Sequence, residues 1–476
     1  MKRDPRGGRV RRWPCLLRLA GCALLASVSC GGEAEQQGLC DLRARGCQQG
    51  IYRELVALRG GGAVPSLPRV RLITRAELEA LARAAEGDGA GAGDEPRCVE
   101  QAFSRGLQQL GLLAPATPVG AAAAETFTEG VAAFYTSADD TVTIVDELSE
   151  DPAVDLGTLA HELTHALQQR ERLSARLDGW QARGSDAELA QLALSEGEAT
   201  FCGLAVALAR SGRAVSELNW EAAFDLLDQL ALEEVREAAS ALVAARFTLP
   251  YPLGGRYFSR RFLEQARPDL PAIYEAWPRS TIGLLAPDDA GAPVEPLPLA
   301  CGPPAAPAGS LVADDDRMGA VGAYALGAKV LALSDPRTLA RQWRDDRMLQ
   351  YVGPGQVAAV SWRLRLALPA DAQTLFEQAT GQATARDWQV LRLSAEEVAL
   401  LGAWPAPAPA AVCAPPDEGP LFGPTEYAAA EVACAALGPT AAAARNTSLH
   451  PLRLPLRAGR VEPPPLFRRW IGATLR

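Results

Sequence analysis

Short runs of β-branched and large apolar residues predict strands at three places in the chain. They are Val70–Ile73, Thr141–Val145 and Val360–Leu368. The pattern is clearest in the third run, where every second residue from Trp362 to Leu368 is large and apolar, as in a half-buried strand. The sequence therefore predicts a small β component.

Leucine spacing predicts a helix in the middle of the chain. The residues concerned are Leu156, Leu159, Leu163 and Leu167. They fall on one side of a helix, so we expect this side to pack against the core and the opposite side to face a cleft.

A second helix is predicted over Leu189–Ala209, which is almost entirely apolar or small. Ser185 and Glu188 have the spacing of an N-terminal capping box, and Gly212 is expected to end the helix. Helices dominate the middle of the chain and strands flank them, which predicts the α+β class.

Two further local signals each concern one short segment of the sequence. Thr74 and Glu77 predict a capping box directly after the first strand. The charged run Trp343–Arg347 is interpreted as a structural ion-pair turn, with substrate binding as the alternative.

Stretches rich in proline, alanine and glycine divide the chain. The predicted parts are a signal peptide (1–29), a main domain (30–285), a linker (286–310), a smaller α+β subdomain (311–401) and a proline-rich tail (402–476).

The N-terminus has the pattern of an export signal, with basic residues before a short apolar stretch. Small residues then precede Cys30, which resembles the processing site of bacterial lipoproteins, although Ser27 stands where leucine is usual. The sequence therefore predicts an exported cell-envelope lipoprotein of the periplasm or outer membrane, with secretion as the alternative. No later segment reaches about 18 uninterrupted apolar residues, so membrane contact is expected only through the lipid.

The net charge of the chain narrows the choice of binding partners. Residues 1–29 carry a net charge of +6 and the whole chain carries −10, which leaves −16 for the remainder. Such an acidic protein repels nucleic acid, so no nucleic-acid partner is expected.

Export suggests that the cysteines form disulfides. The expected local pairs are Cys40–Cys47 and Cys413–Cys434, with one thiol left unmatched.

The sharpest chemical signal lies on the first predicted helix. The chain has three histidines, and two of them stand four residues apart in His161-Glu162-Leu163-Thr164-His165. Two imidazoles one helical turn apart can bind the same metal ion. Glu162 projects beside the metal, where a carboxylate can take a proton from a zinc-bound water.

A catalytic zinc site needs a third protein ligand, and His450 is far along the chain in the predicted tail. Glu196 is the preferred candidate because it lies on an otherwise apolar helix, where a buried carboxylate needs a partner or a metal. Pairing with an arginine, or Glu198 as the ligand instead, stay open as alternatives. Gly197 lies between the two glutamates and is expected to let this helix approach another closely.

The segment His161–Gln168 followed by Ser195–Ala199 resembles the gluzincin group of zinc metallopeptidases, and looser similarities extend to a group of bacterial envelope proteins. The resemblance implies a zincin-like catalytic domain, a Zn²⁺ cofactor and a peptide or protein substrate. Glu196 matches the third ligand of that group. Thr200 stands where the thermolysin-like pattern has an aspartate, so Glu198 or Asp146 is expected to support a histidine instead.

The resemblance also implies a donor for the oxyanion of the reaction, for which Tyr251 and Tyr257 are the candidates. The predicted function is zinc-dependent peptide-bond hydrolysis with Glu162 as the general base. The alternative is a non-catalytic zinc-binding lipoprotein that acts as an adhesion or assembly module.

Overall fold

The computed structural model describes residues 38–81, 98–147, 149–171, 184–264, 269–285, 296–353 and 357–404, with 471, 473 and 474. The predicted signal peptide, the lipidation site Cys30 and the predicted pair Cys413–Cys434 lie outside these residues. So do part of the predicted linker and most of the predicted tail. Leu39–Arg476 form one compact unit.

Helices predominate among the described residues before the second sheet. They include α1 (Arg45–Leu58), α2 (Cys98–Gln109), α3 (Val119–Gly130), α4 (Pro152–Arg170), α5 (Ser185–Arg210), α6 (Trp220–Glu237), α7 (Ala241–Thr248), α8 (Pro250–Leu263), α9 (Leu270–Glu275) and α10 (Thr281–Leu285); α11 (Gly319–Ala325), α12 (Arg337–Gln342) and α13 (Pro369–Arg386) follow. A 3₁₀ turn spans Val215–Glu217, and a π-helical turn spans Leu326–Val330.

Two small sheets complete the fold. The strands are β1 (Arg69–Ile73), β2 (Ala133–Thr136), β3 (Thr141–Val145), β4 (Leu311–Asp316), β5 (Trp343–Val352), β6 (Ala358–Leu366), β7 (Trp388–Arg392) and β8 (Glu397–Gly402). The first sheet has the order β1-β3-β2, with β1 parallel and β2 antiparallel to β3. The second is antiparallel throughout, in the order β4-β5-β6-β8-β7. The predicted α+β class is confirmed.

The three predicted strands are present as β1, β3 and β6, but the third ends early. Leu368 was expected to continue the alternation; it lies beyond the strand and is 55% exposed. The cause is Pro369, which occupies the first turn of α13 and so makes Leu368 the N-cap of a helix. The charged run Trp343–Arg347 forms the start of β5 and is not a turn.

The two predicted capping boxes have different outcomes. Glu77 accepts a hydrogen bond from the Thr74 amide (2.7 Å), and the Thr74 hydroxyl accepts one from the Glu77 amide (3.2 Å), which confirms that box. The box at Ser185 is wrong, because the N-cap of α5 is Gly184. The Ser185 amide and hydroxyl both donate to Asp316 on β4, so this serine is held by a tertiary contact.

The end of α5 follows the prediction. Gly212 has a φ of +76°, and the Arg213 amide donates to the Leu208 carbonyl at 2.9 Å, the backbone arrangement that glycine permits after a helix.

Among the described helices, α5 is the one that is long and apolar enough to cross a membrane. However, 89% of its most apolar window is buried inside the protein. Its apolar character is therefore that of a core helix packed on several neighbours.

Disulfide bonding agrees with one predicted pair. Cys40 is bonded to Cys47 at the start of α1, as the spacing predicts. Cys98 and Cys301 are also disulfide-bonded, although the sequence interpretation named no partner for either. Among the described cysteines Cys202 on α5 is free and buried.

Candidate metal centre

The histidine motif lies on α4, and local signals determine where this helix begins. The Asp151 carboxylate accepts a hydrogen bond from the Ala153 amide (3.0 Å), and Pro152 occupies the first turn. The four leucines of the predicted apolar side all belong to the core. The opposite side does not face an open cleft, because every residue from Ala153 to Gln168 is buried.

Within the described part of the chain, one group of side chains has the spacing of metal ligands: His161, His165 and Glu196. The Nε2 atoms of the two histidines lie 3.2 Å apart. Glu196 Oε2 lies 3.2 Å from His161 Nε2 and 3.4 Å from His165 Nε2. This buried group can bind a metal ion, and α4 and α5 each contribute to it.

The charge states of His161 and Glu196 suit metal binding. Burial lowers the pKa of His161 to about 4, which keeps this imidazole neutral at ordinary pH. Burial acts to raise the pKa of Glu196, but the neighbouring imidazoles of His165 and His161 outweigh it and lower the pKa to about 2. A neutral imidazole and an ionised carboxylate are the forms that coordinate metals. Glu196 Oε1 is buried and accepts no hydrogen bond from the described residues.

Glu162 lies beside this group, as the helical geometry predicts. Its Oε1 atom is 3.7 Å from His161 Nε2, and its side chain is fully buried. A carboxylate at this place can exchange a proton with a molecule bound among the three ligand atoms.

A chain of hydrogen bonds begins at the Nδ1 atom of His165, the ring nitrogen that does not face Glu196. This Nδ1 atom lies 2.9 Å from Gln168 Oε1. The Gln168 amide nitrogen donates to the Ser195 carbonyl (3.0 Å) and to Glu198 Oε2 (2.7 Å). Glu198 therefore reaches His165 through Gln168, and it does not belong to the ligand group.

Glu198 is itself held by two further donors. Arg59 Nε donates to its Oε1 atom at 2.6 Å, and the Tyr274 hydroxyl donates to its Oε2 atom at 2.5 Å. Burial acts to lower the pKa of Arg59, but Glu198 and Glu171 outweigh it and raise the pKa above the ordinary value. The two Glu171 oxygens accept from the two terminal nitrogens of Arg59 at 2.6 and 3.0 Å.

The remaining predicted residues lie in different places. The ring centroid of Tyr251 is 6.0 Å from that of His161, so this tyrosine borders the metal group. The Tyr257 hydroxyl donates to the Ala276 carbonyl, and its ring packs on Trp277. Asp146 pairs with Arg43 at 2.5 Å and is partly exposed.

Sequence reasoning missed three members of the site: Gln168, Arg59 and Tyr274. Gln168 carried a usable signal, since it stands three residues after His165 on the same helix, within side-chain reach. Arg59 and Tyr274 carried none, because only the tertiary fold brings them to Glu198.

Comparison with known proteins finds no protein-family model, no curated protein and no solved structure that matches this chain.

Proposed function

We propose that this protein is a zinc-dependent peptide hydrolase. The observation that carries the proposal is the triangle formed by His161 Nε2, His165 Nε2 and Glu196 Oε2, with sides of 3.2 to 3.4 Å. Two ligands of a tetrahedral zinc ion, each about 2.0–2.1 Å from the metal, lie about 3.3–3.4 Å apart. Two histidines, one carboxylate and a fourth position left to a small molecule are the donor set of catalytic zinc sites.

Each residue of the proposed site has a separate role in hydrolysis. Zinc, when bound by His161, His165 and Glu196, supplies a Lewis acid that polarises the peptide carbonyl and makes water more acidic. Glu162 accepts a proton from the attacking water, whose oxygen bonds to the carbonyl carbon. When the C–N bond breaks, Glu162 returns the proton to the leaving nitrogen and ends unchanged.

Tyr251 is the proposed donor to the oxyanion that forms at the carbonyl oxygen. Its position at the edge of the metal group supports this role. Tyr257 has no comparable support, since its hydroxyl is engaged with Ala276.

Access to the site is a part of the proposal. The side chains of His161, Glu162 and Glu196 are fully buried, and that of His165 is nearly so. A peptide reaches them only after the surrounding structure opens, so the reaction requires such a motion.

The same burial favours a second candidate, a non-catalytic zinc-binding module of adhesion or assembly. A structural metal site needs no access for substrate. Against it stands Glu162, since a structural site has no use for a carboxylate next to an incomplete set of three ligands.

We further propose that the protein acts in an oxidising compartment of the cell envelope, anchored through a lipid on Cys30. The disulfide bonding of Cys40, Cys47, Cys98 and Cys301 supports export, because such bonds persist outside the cytosol.

The test uses the purified full-length protein, the Glu162→Gln variant and a matched Glu150→Gln control at an exposed position. Zinc content is measured by elemental analysis and cleavage by mass spectrometry on a mixed peptide library. We expect one zinc per chain in all three proteins and a loss of cleavage of at least about 100-fold in Glu162→Gln alone. Equal cleavage by all three would remove Glu162 from the mechanism, and zinc binding without cleavage by any of them would favour the module.

A further inference from the structure

The hydrogen bonds around Gln168 determine which way its amide faces. Its nitrogen lies 3.0 Å from the Ser195 carbonyl and 2.7 Å from Glu198 Oε2, and both of these atoms only accept hydrogen bonds. The reversed amide would place its oxygen against two other acceptors, which repel it. Gln168 Oε1 must therefore face His165.

This orientation determines the protonation of His165. A glutamine oxygen can only accept, so the Nδ1 atom of His165, at 2.9 Å, must carry the proton. When the ring is neutral, its lone pair is then at Nε2, which is the atom that faces His161 and Glu196.

Glu198 keeps the amide in place because it is fixed by residues from two other parts of the chain. Arg59 at the end of α1 binds one of its oxygens, and Tyr274 on α9 donates to the other. Arg59 is 3% exposed and Glu198 is fully buried, so water does not compete for these bonds.

We propose that Gln168 is a positioning residue that, held by Glu198, Arg59 and Tyr274, fixes His165 as the Nδ1-protonated tautomer with Nε2 directed at the metal. In many zinc sites a carboxylate or a carbonyl receives the second N–H of a ligand histidine directly. Here a neutral amide does so, and the buried carboxylate acts one bond further away. The inference concerns the proposed metal site, but it holds for the protein without metal.

The first test reads the His165 proton directly. With three histidines in the chain, ¹⁵N-histidine NMR of the zinc-free full-length protein resolves each ring, and His450→Gln assists the assignment. We expect a His165 Nδ1–H signal that is shifted downfield and exchanges slowly with water. In Gln168→Met, which fills the space but cannot accept a hydrogen bond, the signal should move upfield and exchange faster.

The second test measures zinc affinity by competition with a chelator. Loss of the support to a ligand histidine should raise the zinc dissociation constant about 10- to 100-fold in Gln168→Met. Tyr274→Phe, which removes a single donor to Glu198, should shift both readouts in the same direction by less. Gln169→Met, an exposed neighbour on α4, should change neither and serves as the matched control.

If Gln168→Met does not fold, Tyr274→Phe, which leaves Gln168 in place, decides the question.

A His165 signal with an unprotonated Nδ1 in the wild type, or one unchanged in Gln168→Met, would overturn the inference. Because the NMR experiment needs no metal and no substrate, failure of the proposed hydrolase activity would leave its result intact.

Discussion

The backbone of Gly197 on α5 lies directly against that of Gly254 on α8. A methyl group at Gly197 would lie 2.2 Å from the carbonyl carbon of Gly254 and 2.5 Å from its oxygen. No side chain separates the two helices at this point, which is next to Glu196. The close approach predicted from the sequence is confirmed, and it connects the position of Glu196, a proposed metal ligand, to the packing of α8.

Gly197→Ala should therefore damage both stability and metal binding. In an isolated helix alanine is favoured over glycine by about 1 kcal/mol. Here the methyl group forces backbone apart, which costs about 1–3 kcal/mol or more, so we expect a net loss of stability and weaker zinc binding. Thermal unfolding with and without zinc measures both effects.

Gly381→Ala is the matched control, because this helical glycine has no atom within 4 Å of the added methyl group. It should leave zinc binding unchanged and stabilise the protein by up to about 1 kcal/mol. If both variants behaved alike, the contact between Gly197 and Gly254 would contribute nothing to stability or to zinc binding.

The parts of the fold that follow local rules were predictable from the sequence. The helix that carries His161 and His165, the three strands and the Thr74 capping box all depend on residues a few positions apart. The box at Ser185 failed although its local pattern was correct, because Asp316 lies 131 positions away and takes the serine's hydrogen bonds.

Strand β5 of the second sheet escaped prediction because buried acids are indistinguishable from exposed ones in a sequence. The Asp346 carboxylate, in β5, accepts hydrogen bonds from the indoles of Trp343 and Trp362 and from the amides of Met318 and Gly319. These donors come from three different segments. A run such as Trp343–Arg347 therefore looks like an exposed turn until the fold supplies its partners.

Removal of the carboxylate at Glu196 tests the assignment of the third ligand. Glu196→Gln keeps the shape of the side chain but removes its charge. We expect the zinc affinity to fall by more than about 100-fold, a larger loss than substitution of a residue that only supports a ligand would cause. Glu188→Gln, on the same helix and with its carboxylate 3.9 Å from Arg246, should bind zinc as the wild type does. Undiminished binding in Glu196→Gln would exclude Glu196 as a ligand.

The buried histidine predicts a particular pH dependence for the zinc-free protein. The pKa of His161 is about 4 in the folded state and about 6.5 in the unfolded chain. Between these values the unfolded chain binds the extra proton, so stability falls as the pH is lowered through this range. At about pH 5 the loss is about 2 kcal/mol relative to pH 7.5.

Urea unfolding of the wild type, of His161→Asn, of Glu196→Gln and of the double variant at both pH values separates this contribution from that of Glu196, whose pKa His161 helps to lower. Burial raises the pKa of Asp345 to about 6 and that of Asp346 to about 7, and these two groups act in the opposite sense. They are present in all four proteins and cancel in the differences. The stability advantage of the wild type should shrink at the lower pH; a constant advantage would mean that His161 is not held neutral.

The C-terminal end of the chain should stabilise the packing of α4 against α5. Ile471 is fully buried, and its Cδ1 atom would lie 2.8 Å from a methyl group at Gly157 on α4, beside Ala207 on α5. We expect Ile471→Ala to lower the free energy of unfolding by about 2–5 kcal/mol through lost burial and a cavity between the helices. Leu368→Ala, at a position 55% exposed, should cost less than about 0.5 kcal/mol in the same urea titration. Equal effects of the two substitutions would show that the C-terminal end does not hold α4 and α5 together.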